Sequence, residues 1–133
     1  IRADLRKGKI RLRDLYQVSP FKNTLITMKL KGSDIVDLLT HAAGQTRYAI
    51  EVSGLEYKTD LSSVKIGGYP IDRDRDYTVV TNSFLAKGGD THEVFTRGRE
   101  SKDTLLDLLD LHKEDVRKNS PVRLAFEQRI HAP

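Results

Sequence analysis

From Asn23 to Leu30 the chain alternates, with Ile26, Met28 and Leu30 on one side and Thr27 and Lys29 on the other. That is the period of a half-buried strand. Ser33 then stands as a helix N-cap, Asp34 and Asp37 favour the first turn, and Ile35, Leu38, Leu39 and Ala42 recur at helical spacing until Gly44. Strand period returns from Val52 to Tyr57 and again from Val64 to Ile71. The second of these runs is folded by Gly67-Gly68, a pair that tolerates the positive φ of a tight hairpin. Tyr77 to Thr81 predicts another strand, and the preceding Asp72-Arg73-Asp74-Arg75-Asp76 nearly cancels its own charge and reads as a solvated turn. Ser101 to Lys113 carries Leu105, Leu106, Leu108, Leu109 and Leu111, which predicts a second helix with Ser101 or Asp103 near its start. Pro121 interrupts the chain, after which Val122, Leu124 and Phe126 alternate with Arg123, Ala125 and Glu127 as a final strand. With a short helix around Asp14 to Val18, the order of strands and helices predicts the α+β class.

Length adds that 133 residues suit one domain with one core and no linker. There is no apolar run of about 18 residues and no signal-peptide pattern, so no membrane contact is expected of this domain. Because there is no cysteine, disulfides and thiolate metal sites are excluded, and neither redox compartment is. A chain that opens on Ile1 rather than methionine is expected to be a piece of a longer protein. The net charge of +4 is local: residues 1–31 hold nine Lys or Arg against Asp4 and Asp14, a balance of +7, which leaves −3 for the rest. Such a segment suits an anionic partner, or is simply a solvated face.

His41, His92, His112 and His131 stand far apart, outside any paired-ligand spacing, and are expected to be ordinary surface or boundary histidines. No phosphate-binding glycine loop and no nucleophile elbow is present, so the chain taken alone has no visible catalytic centre. The densest signal is the segment Thr81 to Asp90, directly after a predicted strand. Gly88 and Gly89 allow a sharp turn or close approach to a ligand, and Asp90 leaves that turn with an acceptor-only carboxylate. With Phe84 on the same loop, the pair could stack a base and accept hydrogen bonds from ribose hydroxyls. The alternative is a tight turn with Phe84 in the core and Asp90 capping a backbone amide. Arg2 and Arg6 form a second signal, since two guanidinium groups in one short loop could hold a phosphate.

Several segments together resemble the C-terminal domain of the 5'-nucleotidase family. They are Ile1 to Leu5, Leu15 to Leu25, Lys31-Gly32 opening the helix, Val52 to Tyr57, Asn82 to Asp90, and Glu127-Gln128-Arg129-Ile130 in place of a common E-G-R-I. The family includes 5'-nucleotidases, UDP-sugar hydrolases and 2',3'-cyclic-nucleotide phosphodiesterases that are periplasmic, secreted or surface-anchored. The resemblance implies a four-layer α/β/β/α fold. It further implies that an N-terminal metallophosphoesterase domain with two divalent metals is absent from this chain. The catalytic residues and metal ligands would lie there, leaving none here and no cofactor in this domain. The implied partners are a nucleotide substrate and that catalytic domain.

Carried over by position, the resemblance makes Phe84 a stacking surface for the base and Asp90 the acceptor for ribose hydroxyls. Arg2 falls on the arginine of a G-G-I-R motif, Arg6 where some members place a second, and Arg47 nearest a third; these are candidates for the phosphates. A second stacking aromatic is expected where Ala49 stands, with Tyr48 adjacent as a possible substitute, and Thr91 stands where glycine commonly follows G-G-D. Three rivals stay open: recognition of a cyclic nucleotide or UDP-sugar, a non-catalytic interaction module that has lost nucleotide binding, and a small basic nucleic-acid-binding module. Against the last, only Tyr16 and Phe21 are aromatic in the basic segment, so no nucleic-acid partner is expected.

Overall fold

In the computed structural model, residues 2–44, 50–123 and 128–132 are described. Strand β1 (Thr24–Lys31) runs straight into helix α2 (Gly32–Ala43), after the short helix α1 (Leu12–Val18). On β1 the alternation read from sequence is physical: Ile26, Met28 and Leu30 are buried. The opposite face is polar, with Lys29 Nζ donating to Thr78 Oγ1 at 2.8 Å and Thr27 Oγ1 to the Lys102 carbonyl at 3.4 Å. Helix α2 buries Ile35, Val36, Leu38, Leu39 and Ala42. Its first turn is tied differently from the expected Ser33 cap. Lys31 occupies the N-cap position and its backbone N–H donates to Asp34 Oδ2 at 3.3 Å.

The charged Asp72–Asp76 turn does more than face solvent. Its Arg75 and Arg73 carbonyls accept the Gly32 and Ser33 N–H groups, each at 2.9 Å, satisfying two donors that a helix start leaves over. That approach requires glycine at position 32, since a Cβ there would strike the Asp72 carbonyl.

Two sheets result. In the first, the order is β5 (Asp76–Asn82), β1, β6 (Arg99–Asp107), all antiparallel. In the second, β4 (Tyr69–Pro70), β3 (Val64–Ile66) and β2 (Leu55–Lys58) form an antiparallel set, and β7 (Ile130–His131) joins β2 in parallel. Gly67 and Gly68, at φ 59° and 83°, make the β3–β4 hairpin as expected. Tyr57 and Val64 of the second sheet share one core cluster with β1, α2 and the segment holding Val94 and Phe95. Two sheets with α2 and a C-terminal helix form an α+β fold, matching the class expected.

Two expectations are corrected. The leucine-rich stretch is not a single helix from Ser101 to Lys113: residues 99–107 form β6, and helix α3 spans Leu108–Lys118. Asp107 is the N-cap, its carboxylate accepting from the Leu109 and Asp110 amides. The β1–β6 register slips twice, and Glu100 and Leu105 lie in those slips at φ 51° and 60°. At the second slip, Asp103 and Thr104 side chains accept the Leu105 and Leu106 amides at 2.8 and 3.3 Å. Short polar side chains thus take up N–H groups that a helix would have bonded internally, and Leu105 projects into solvent, 81% exposed. The second correction concerns the final strand. Val122 and Arg123 are not in a strand, residues 124–127 lie outside the described residues, and the closing strand is β7, further along.

Away from the main core, Leu15 of α1 and Leu109 of α3 are both buried, and Lys113 lies 5.5 Å over the Tyr16 ring. Arg99 pairs with Asp76 across the first sheet, and that guanidinium holds the Asp76 carboxyl below the usual aspartate range.

Leu39 is 1% exposed, so Leu39→Ala is expected to cost about 2–5 kcal/mol, whereas Leu105→Ser stays within about 0.5 kcal/mol. Urea unfolding of this chain measures both; equal losses would mean that Leu105 is buried. Asp76→Asn tests the ion pair. A depressed folded-state pKa contributes stability above the unfolded value of about 3.9, lost as pH falls through the folded value. The urea midpoints of wild type and Asp76→Asn should therefore differ at pH 7 and converge as pH falls through the depressed folded-state value.

Candidate functional site

Strand β5 delivers the chain into three successive 3-10 turns, Leu85–Lys87, Gly89–Thr91 and Glu93–Arg97. The first is fastened by Asn82, whose Oδ1 accepts the Phe84 and Leu85 amides at 3.0 and 2.9 Å. The Phe84 carbonyl then accepts the Lys87 and Gly89 N–H groups at 3.3 and 3.2 Å. Gly88 turns the chain at φ 84°, packed beside Glu93 and Thr96. Gly89 lies directly under the Phe84 ring, where a Cβ would come within 2.5 Å of the ring carbons. Both glycines are therefore fixed by geometry, the first by its backbone angle and the second by the aromatic ring above it.

Phe84 is 49% exposed rather than part of the core. Asp90 is exposed at φ 53°, and its carboxylate has no hydrogen-bond or ion-pair partner among the described residues. Of the two sequence alternatives, the core aromatic with a capping aspartate is not what the turn adopts. An open aromatic face and an unengaged carboxylate stand six residues apart on one bonded turn. That set can offer a π-surface and a two-oxygen acceptor.

The 3-10 segment is anchored to α2. Arg97 Nη1 bridges Asp34 Oδ1 at 3.1 Å and Asp37 Oδ2 at 2.8 Å, and these carboxylates raise the guanidinium pKa above its ordinary value. Val94 and Phe95 enter the core beside it. Gly98, which follows, leaves room for Met28; a Cβ there would meet its sulfur. Next to the turn an open cleft of about 740 Å³ is lined by Asp37, Thr40, His41, Thr91, Glu93, Val94, Thr96 and Arg97.

Arg2 and Arg6 lie in the exposed N-terminal segment. The Arg2 N–H donates to the Val18 carbonyl at 2.9 Å and its guanidinium lies 5.3 Å over the Phe21 ring. No hydrogen bond or ring contact joins either arginine to the Phe84–Asp90 turn among the described residues. Arg47, Tyr48 and Ala49 fall outside the described residues.

Two residues that sequence reading passed over belong to this neighbourhood. His92 is 2% exposed, not a surface or boundary residue, because the 3-10 run folds it under α2. Its ring meets His41 edge to face at 5.5 Å, and His41 Nε2 lies 3.0 Å from Thr91 Oγ1. Only the four-residue and three-residue spacings of α2 put His41 on the same side as Asp37 and Leu38, a weak signal for a contact 50 residues distant.

The segments that carry the family resemblance also meet in space. Arg129 Nη1 donates to the Val52 carbonyl at 3.1 Å, and the Tyr57 N–H to the Arg129 carbonyl at 2.9 Å. Residues 1–97 match the model of the 5'-nucleotidase C-terminal domain. The chain is 29% identical over 131 residues to Protein UshA of Salmonella pullorum, covering 94% of this chain and 24% of that protein. The structure of a 5'-nucleotidase precursor from Thermus thermophilus is similar at TM-score 0.87 and 31% identity, covering 99% of this chain and 29% of that one. The NAD nucleotidase of Haemophilus influenzae follows at TM-score 0.72 and 30% identity, with 87% and 26% covered. The chain thus spans about a quarter of the length of these relatives, and it belongs to the 5'-nucleotidase family, as its C-terminal domain.

Proposed function

We propose that this domain recognises the nucleoside part of a nucleotide and presents its phosphate to a companion N-terminal metallophosphoesterase domain, the whole being a metal-dependent phosphoric-ester hydrolase of the 5'-nucleotidase type. The observation that carries this reading is the Phe84–Asp90 turn. A half-exposed aromatic ring and an unengaged carboxylate are held on one backbone-bonded turn at the end of β5. The Phe84 face stacks the base, and Asp90 accepts hydrogen bonds from the ribose hydroxyls. Gly88 and Gly89 shape the turn between them. Arg2 and Arg6, with Arg47, are the candidate phosphate contacts, and Tyr48 the candidate for the opposite face of the base.

Divalent metals in the companion domain would supply the activated water that attacks phosphorus. The part this reading assigns to the present chain is binding and orientation. Family membership supports an extracytoplasmic location for the whole protein. The names of the relatives support nucleotides as the substrate class, with mononucleotides, cyclic nucleotides and UDP-sugars as its candidate members.

In the full-length protein, Phe84→Ala is expected to raise KM for AMP roughly five- to hundredfold, from the value of about 1–3 kcal/mol for one stacked base. Asp90→Asn is expected to raise it about tenfold or more, from the loss of charge-assisted hydrogen bonds. Steady-state hydrolysis of AMP measures both, and unchanged KM and kcat in the two variants would sink the assignment.

A further inference from the structure

The turn that carries Asp90 holds two consecutive side-chain-bearing residues in the left-handed region, Asp90 at φ 53° and Thr91 at φ 67°. That conformation is uncommon for any residue with a Cβ and an outlier for a β-branched one. Something beyond the local sequence must hold it. The backbone contributes one closure, the His92 N–H donating to the Gly89 carbonyl at 3.1 Å around the two residues. The remaining tie is made by side chains. Thr91 Oγ1 lies 3.0 Å from His41 Nε2, on the last turn of α2. The His41 ring is itself set by its edge-to-face contact with the buried ring of His92.

We propose that His41 is a positioning residue for the nucleotide site: its hydrogen bond to the Thr91 hydroxyl keeps Thr91 left-handed and thereby sets the direction of the neighbouring Asp90 carboxylate. The inference rests on the assignment of Asp90 to ribose hydroxyls. The bond forms in either neutral tautomer, since Nε2–H donates to Oγ1 or the threonine hydroxyl donates to a bare Nε2. Helix α2 is fastened to the same 3-10 segment a turn earlier through Asp37 and Arg97. The clamp therefore joins two elements already in register, and it acts where two consecutive residues with side chains are left-handed.

Glycine adopts the left-handed region unaided, so Thr91→Gly separates conformation from packing in a double-mutant cycle on the full-length protein. His41→Ala is expected to raise KM for AMP roughly five- to twentyfold with kcat within about twofold, and His41→Gln to recover most of the loss. In the Thr91→Gly background the His41→Ala effect should shrink below about twofold. The same loss in both backgrounds means that His41 acts by packing, and that result, or an unchanged KM in His41→Ala, overturns the proposal.

Phe84→Ala measured alongside tells the two claims apart. A raised KM there with none in His41→Ala overturns the clamp alone, while no change in either overturns the nucleotide reading as well. A readout free of substrate is the pair of Thr91 ¹³Cα and ¹³Cβ shifts in threonine-labelled protein. They should carry the positive-φ signature in wild type and lose it in His41→Ala; its persistence overturns the clamp whatever the kinetics give.

Discussion

Everything in this fold is referred to the packing of the inner face of β1 against α2. Ile26, Met28 and Leu30 on the strand and Ile35, Leu38 and Leu39 on the helix are all buried in one cluster. A strand that passes into a helix with no intervening loop needs its helix start satisfied by something else, and the carbonyls of Arg73 and Arg75 provide that. Met28 in turn reaches the chain at Gly98, where only glycine leaves it room. With β5 and β6 bonded to its two edges, β1 fixes where the first sheet ends. The turn that carries Phe84 and Asp90 begins at that end, at Asn82.

The ties that hold this turn bear on the binding we propose for it. An exposed loop ordered only by its ligand would lose part of the interaction energy to conformational entropy, at about 0.5–1.5 kcal/mol for each immobilised side chain. Here the ordering is done during folding. Asn82 caps the first 3-10 turn, Val94 and Phe95 root the third in the core, and Arg97 ties it to Asp34 and Asp37. The Arg97 pairs are exposed and add little stability by themselves. Their use is geometric, because they set the register between α2 and the segment that carries Asp90.

Legibility in the sequence followed the range of the interactions. The β1 alternation, the apolar face of α2 and the Gly67-Gly68 hairpin depend on neighbours within a few residues, and each reads directly from the chain. The stretch from Ser101 to Lys113 misled because leucine spacing alone does not distinguish a helix from a bulged strand followed by a helix. What decides it is the competition for backbone amides by Asp103, Thr104 and Asp107, which begins to matter once β1 offers a partner strand. For the site, Phe84, Gly88, Gly89 and Asp90 were visible as one local segment. His41 and His92 were not, since their meaning lies in a contact across 50 residues and in burial under α2. Lone histidines carry no periodicity from which either could be inferred.

The position of Thr91 connects these two kinds of information. A run of Gly88, Gly89 and then Asp90 reads as a turn because glycines tolerate positive φ, yet of these two glycines only Gly88 is left-handed, and the conformation returns at Asp90 and Thr91. Glycine's own freedom accounts for Gly88 alone. At Thr91 the tie we propose is to His41, which stands on the helix that β1 holds in place. The same packing that fixes the end of the sheet therefore also reaches the residue next to the carboxylate. With the clamp we propose, a change deep in the β1–α2 core reaches Asp90 through the Thr91 hydroxyl as well as through the Arg97 ion pairs, with no alteration of the turn's own sequence.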